Sequence, residues 1–292
     1  MICNQAIKNS FTARALPLNF AHMNIDFLKN KVVVITGGTD GIGRALVAAY
    51  LAKGAKVATC GRNEEKLNQL ATDFNSDCLL SVQADVSVET DCKKFIEQAI
   101  ARFGKIDILV NNAGISMRAM FKDSSIETLR RLMEVNFWGT VYCTRYALDS
   151  IIENKGTIAG ISSVAGFRGL PGRSGYSASK FAMNGWLEAL RTELLPTGVN
   201  VMWICPGFTR SNIRNAALSA DGTPQKESPL QENKLMSAEE CAMHILNAIQ
   251  KRKRTLVLTG TGKQTIFMNK FFPAWADKLT YRFFFKNGRL IK

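Results

Sequence analysis

Residues Lys31 to Gly43 read Lys-Val-Val-Val-Ile-Thr-Gly-Gly-Thr-Asp-Gly-Ile-Gly. A continuous β-branched run of this kind is the signature of a strand buried on both faces, as in a parallel sheet. Its exit is rich in glycine, and a helical pattern follows through Ala52. Bare backbone at a strand's end, opening onto a helix N-terminus, is what a pyrophosphate needs. The spacing Gly37-x-x-x-Gly41-x-Gly43 departs from the generic G-x-G-x-x-G fingerprint, and a glycine turn with no ligand is the competing reading. Strand, turn and helix nevertheless fall where a dinucleotide site requires them.

Outward from this turn the same alternation continues. Ala55 to Cys60 reads as a second strand, closed by Gly61-Arg62-Asn63 before a helix near Glu64. An acid at this strand's end would hold the ribose 2′-hydroxyl of NAD, whereas an arginine suits the 2′-phosphate of NADP. Arg62 therefore favours NADP(H) over NAD(H), with a plain loop arginine as the alternative. A strand over Leu79 to Gln83 ends in Asp85-Val86, a helix runs from about Val88 to Phe103, and a strand over Ile106 to Val110 ends in Asn111-Asn112-Ala113-Gly114. Strands separated by helices of this length imply a doubly wound α/β sheet with ligands beyond the strands' carboxyl ends. Asp85 is placed to accept from an adenine amino group, and Gly114 lets a flat ring pass close to the backbone.

The chain has 292 residues, 46% of them hydrophobic and 21% charged, enough to bury a sizeable core. No run is long and apolar enough to span a membrane. The 7 cysteines are odd in number, scattered and never in a C-x-x-C pair, which argues against a disulfide framework or a zinc site and for a reducing, cytoplasmic setting. With only His22 and His244, a histidine-based triad or metal cluster has almost no raw material. The net charge of +14 gathers towards the C-terminus, in Lys251 to Arg254 and again from Lys263 onward, without forming a nucleic-acid arm. Residues 1 to 22 lack a continuous apolar core and a cleavage site, so they do not read as a signal, and Met23 offers a natural start.

Tyr176 and Lys180, in Gly-Tyr-Ser-Ala-Ser-Lys-Phe-Ala from Gly175 to Ala182, stand four residues apart. On a helix they share one face, one turn apart. A cation there is expected to favour phenolate, giving Tyr176 a pKa well below about 10 and fitting it for proton transfer near neutral pH. Taken alone, such a pair is far more often an ordinary helix surface.

Together these motifs resemble the short-chain dehydrogenase/reductase family in its single-domain branch, over roughly Lys29 to Leu258. The resemblance implies a Rossmann-like sheet of about seven strands flanked by helices. It assigns cofactor contacts to Thr36, Gly37, Thr39, Asp40, Gly41, Ile42, Gly43, Arg62, Asp85, Val86, Asn112, Ala113 and Gly114. To these it adds Tyr176, Lys180 and the turn Pro206-Gly207-Phe208-Thr209, whose backbone would meet the nicotinamide carboxamide. Asn136 matches the family's catalytic asparagine, Ser163 its serine (with Ser162 as the neighbour to weigh), and Tyr176 and Lys180 its Y-x-x-x-K pair. The implied chemistry is hydride transfer between nicotinamide and a carbonyl or alcohol carbon. Tyr176 would move the proton, Ser163 stabilise the oxygen, Lys180 lower the tyrosine pKa and hold the ribose, and Asn136 hold a water linking the lysine to solvent. A dimer or tetramer is also implied. Asp40 stands where some NADP-preferring relatives carry a basic residue, which leaves specificity on Arg62. A non-catalytic nucleotide-binding scaffold is the alternative from another class.

Three segments follow from this reading: an N-terminal extension over residues 1–28, the dehydrogenase/reductase domain over 29–262, and a basic aromatic extension over 263–292. Between Pro206 and Ser237 a polar stretch with Gly222, Pro224 and Pro229 has no regular period, and reads as a lid over an apolar substrate or as a surface loop. In the last segment Phe267, Phe271, Trp275, Leu279 and Phe283 recur every four residues among lysines and arginines, on a helix pair broken near Pro273. The stripe either packs on its own domain or a second subunit, or lies in a membrane interface. It resembles tails of lipid- and steroid-active branches such as the 11β-hydroxysteroid dehydrogenases.

Overall fold

The structure is a computed structural model and describes residues 27–227 and 235–291. The quoted run forms β1 (Val32–Thr36), buried along its whole length, and the glycine turn leads into α1 (Gly41–Ala52). The chain then alternates through β2 (Lys56–Gly61), α2 (Glu64–Phe74), β3 (Leu79–Gln83), α3 (Glu89–Phe103) and β4 (Ile108–Asn111). It continues with α4 (Ile126–Met133), α5 (Gly139–Glu153), β5 (Thr157–Ile161), α6 (Ser174–Glu193), β6 (Asn200–Cys205), α7 (Ala238–Gln250) and β7 (Thr255–Val257). All seven strands are parallel, in the order β3-β2-β1-β4-β5-β6-β7. The doubly wound sheet expected from the alternation is therefore present. α1 and α7 bury their apolar stripes on one face, and α3, α5 and α6 cover the other.

The winding direction reverses between β1 and β4, and their carboxyl ends part to leave a crevice, the usual ligand position in such sheets. Side chains stitch that crevice together. Thr36 Oγ1 accepts from the backbone N–H of Asn112 at 3.0 Å and of Ala113 at 2.9 Å. Asn112 Nδ2 in turn donates to the carbonyls of Thr36 and Gly37, at 2.9 and 3.1 Å.

Beyond β7 the chain forms α8 (Gly260–Phe271), α9 (Pro273–Phe284) and a hairpin of β8 (Phe285–Lys286) and β9 (Arg289–Leu290). Asn287 and Gly288 both have positive φ, 50° and 73°, as a tight two-residue hairpin turn demands. Arg168 anchors the helix pair, donating to Asn269 Oδ1 at 2.8 Å and pairing with Asp277. Ala276 and Phe284 are buried against the domain. The apolar stripe is not: Phe267, Phe271, Trp275 and Leu279 are 54%, 57%, 69% and 51% exposed.

The stretch after Pro206 folds down onto the domain. Leu218 bridges to Met117 and joins a small core with Ala119 and Leu132. Pro229 and residues 1–26 lie outside the described residues.

Candidate active site

The glycine turn is built for close approach. Gly37 and Gly41 have positive φ, 69° and 50°, and a Cβ on Gly43 would stand 2.1 Å from the Gly37 carbonyl oxygen. Asp40 caps α1 by accepting from Gly41 N at 2.8 Å, and the first turn of α1 carries no acid. An anion is welcome at this helix end because its unpaired N–H groups point outward. The turn opens onto a cleft of about 310 Å³, lined by Gly37, Thr39 to Gly43, Gly61, Arg62, Asp85, Val86 and Asn112 to Gly114. Thr36 stands behind it as the stitch described above. Shape, bare backbone and helix end fit a dinucleotide.

At the far end of the cleft a Cβ on Gly61 would meet Thr39 Cγ2 at 2.9 Å, so an acid at the end of β2 would require Thr39 to shift. Arg62 is half exposed beside it, with Nη1 3.8 Å from Asp85 Oδ2. Asp40 is bound to Lys66 Nζ at 2.8 Å, which offsets its charge. Ser211, Asn212 and Ile213 close over the cleft, with Ser211 Cβ 3.0 Å from where a Gly41 Cβ would lie. The sequence left this segment as a substrate lid or a surface loop, because nothing in its composition says that it reaches back across the crevice.

Tyr176 and Lys180 lie one turn apart on α6, as their spacing requires. Tyr176 and Ser163 line a second, mainly apolar cavity of about 430 Å³, next to the cleft and sharing Ile213 with it. Ser163 caps a short turn, accepting from Ala165 N at 3.1 Å. Its neighbour Ser162 lines neither cavity and donates to Asn184 Oδ1 at 2.6 Å. Asn136 sits in a π-helical turn, Glu134–Trp138, of the kind that often marks functional sites. It is fully buried. Its amide accepts from Ile115 N at 2.8 Å and donates to Ile115 O and Ser179 Oγ, both at 2.9 Å. Both of its N–H groups are thus engaged in tying the end of β4 to α6, leaving only its oxygen for a water.

The electrostatics correct one expectation. Lys180 Nζ donates to the Ile161 carbonyl at 2.8 Å and lies 5.8 Å from the centre of the Tyr176 ring. Burial pulls its own pKa down to about 8. Burial likewise raises the Tyr176 pKa above its ordinary value instead of lowering it. The opposing influences are hydrogen bonding from Ser163 and the charge of Arg173, three residues earlier at the start of α6. Arg173 was missed, although its i, i+3 spacing from Tyr176 is a legible signal. Thr209 is buried and lines neither cavity, while Gly207 and Phe208 face the apolar one.

Residues 31–221 match the family model described as short chain dehydrogenase. The chain belongs to that family. It is an oxidoreductase acting on CH–OH donors with a nicotinamide cofactor. 11-beta-hydroxysteroid dehydrogenase-like 4A of Arabidopsis thaliana is 39% identical over 230 residues, covering 77% of this chain and 75% of its own. Dehydrogenase/reductase SDR family member 7B of Rattus norvegicus is 37% identical over 244 residues, covering 80% and 74%. A short chain dehydrogenase/reductase from Burkholderia phymatum, solved in complex with NAD, superposes with a TM-score of 0.75 at 23% identity, over 83% of this chain and 94% of that one. That last similarity is one of fold.

Proposed function

We propose that this enzyme reduces an apolar ketone or aldehyde with NADPH, and runs in reverse as a secondary-alcohol dehydrogenase. The observation that carries the reading is the position of Tyr176 and Ser163 in the wall of an apolar cavity adjoining the dinucleotide cleft. A bound nicotinamide supplies the hydride. Tyr176, kept protonated at neutral pH by burial, donates its proton to the substrate oxygen, and Ser163 steadies the charge developing there. Lys180 and the oxygen of Asn136 both face Gly114, 3.5 and 3.1 Å from where its Cβ would be. Lys180 orients the cofactor from that side, and Asn136 acts as a positioning residue. Gly37, Gly41, Gly43, Asn112, Ala113, Gly114, Pro206 and Gly207 hold the cofactor's backbone-facing groups.

The preference for NADP(H) rests on Arg62 and on the side chain missing at Gly61. Fluorescence titration is expected to give tighter binding of NADPH than of NADH, and Arg62→Ala is expected to weaken NADPH about tenfold while leaving NADH nearly unchanged. Equal weakening of both cofactors by the variant rejects a role in selectivity. No disulfide joins the described cysteines, and a reducing, cytoplasmic setting is part of this reading. A homodimer or homotetramer belongs to the same reading, supported by the exposed aromatics Trp138 and Phe181 beside α5 and on α6.

The exposed aromatic stripe favours a second element, peripheral attachment to an anionic membrane and a lipid- or steroid-like substrate. No helix among the described residues is long and apolar enough to cross a membrane. Residues 263–292 carry 7 basic side chains against the single acid Asp277, and Trp275 is 69% exposed, the composition of a segment lying in an interface. Phe271→Asp with Trp275→Asp is expected to abolish co-sedimentation with phosphatidylserine vesicles while leaving the melting temperature unchanged. Undiminished binding by the double variant discards the attachment.

A further inference from the structure

Arg173 is a buried guanidinium without a carboxylate. It is 9% exposed, and its Nη1 has no hydrogen-bond partner among the described residues. Its carbon stands 5.4 Å from the centre of the Phe284 ring, a contact that holds the group in place without neutralising it. An unpaired charge in such surroundings is costly, and burial lowers its pKa. The group lines the apolar cavity together with Ser163 and Tyr176.

Two further guanidiniums line the same cavity, those of Arg118 and Arg214. Arg118 is engaged, donating to Gln225 Oε1 at 3.1 Å and pairing with Glu227, the one carboxylate of the lining among the described residues. Arg214 donates to the Thr209 carbonyl at 2.8 Å. Among the described residues three guanidiniums thus border a mainly apolar space, and Arg173, whose Nη1 has no partner, lies one helical turn from the phenol. An arginine fork matches carboxylate or phosphate oxygens in a way that a neutral ketone does not use.

We infer that Arg173 anchors an anionic head group, so that the ketone reduced here is an amphiphile bearing a carboxylate or phosphate, with an apolar body towards Leu170, Leu279 and Phe283. This deepens the proposed function and rests on its assignment of the cavity to substrate.

The test uses the full chain and three probes of equal chain length, decanoate, decyl phosphate and decanol, titrated with and without NADPH. Wild type is expected to bind at least one anion about tenfold or more tighter than decanol, as a charged hydrogen bond warrants. Whichever anion binds tighter identifies the head group. Arg173→Gln is expected to bring both anions to the level of decanol, while Phe284→Leu, which removes only the stacked ring, keeps the preference. Equal binding of the three probes by wild type, or a preference that survives Arg173→Gln, overturns the inference. Should Arg173→Gln fail to fold, Arg173→Lys decides, because it keeps charge but loses the fork: a preference reduced threefold or more supports the inference, and an unchanged one overturns it. The NADPH titration of the same samples reads the cofactor assignment separately, so a failure there is distinguishable from a failure of the anion site.

Discussion

Tyr176→Phe is expected to lower kcat by about 10²–10⁴-fold while NADPH affinity stays within a few-fold. The phenol faces the apolar cavity, whereas the dinucleotide cleft is lined by the glycine turn and the ends of β2 to β4. Deleting one oxygen removes the proton donor and leaves the ring packed where it is. Ser163 cannot replace it, because a serine hydroxyl is too weak an acid to give up a proton near neutral pH and its oxygen already accepts from Ala165 N. Because burial raises the Tyr176 pKa, the group stays in its acid form through neutral pH, so reduction is expected to hold its rate across that range. Stopped-flow measurement of NADPH oxidation, beside an equilibrium titration of NADPH, separates the two effects. A variant that keeps full turnover rejects Tyr176 as the acid.

Lys180→Met is expected to abolish activity and, at pH 7, to raise the melting temperature. The wild-type ammonium is 3% exposed, hydrogen-bonded to one carbonyl and opposed by no carboxylate, and its pKa falls from 10.5 to about 8. Folding is therefore opposed by the cost of burying the charge, in full below pH 8. Between about pH 8 and 10.5 the folded chain has released this proton and the unfolded chain still holds it, so wild-type stability from this group rises with pH across that window. Methionine has a similar shape and no charge, and its stability does not share that rise. The gain over wild type is thus expected to be largest at neutral pH and to shrink as the pH passes through 8 towards 10. Thermal melts of both proteins across that range measure it. A gap that stays constant with pH rules out charge burial as its cause. Retaining such a lysine at a cost to stability is what a functional group in a strained setting looks like.

The parts of this site legible in the sequence are those whose logic is local. A buried parallel strand announces itself by composition, so β1 was readable from Val32 to Ile35, and the glycines after it were readable because few other reasons require so many in one turn. The spacing of Tyr176 and Lys180 followed from helical geometry alone. Where Ser163 and its neighbour Ser162 point was not legible in the residues: the first lines the apolar cavity and the second donates to Asn184. The pKa argument failed for a different reason. A cation four residues away lowers a tyrosine's pKa only if its charge lies near the phenol oxygen and stays in place, and tertiary packing sends Lys180 to the Ile161 carbonyl, burying it fully and Tyr176 in part.

The amphipathic tail shows the same division. Its period of four was plain, and so was the break at Pro273, but which face would be covered depended on where α8 and α9 dock. Arg168 reaches Asn269 and Asp277, and Phe284 inserts beside Arg173, leaving Phe267, Phe271 and Trp275 outward while Leu279 and Phe283 border the cavity.

By itself, then, the sequence determined the sheet, the dinucleotide turn and the order of the reactive residues, because each is written within a few positions by periodicity, backbone freedom or helical spacing. The tertiary structure alone decided which charges meet. It placed Arg173 beside Tyr176, Ser211 over the glycine turn and α9 across the apolar cavity. Those pairings join elements distant in the chain, and burial sets their electrostatics, which no local pattern of residues records.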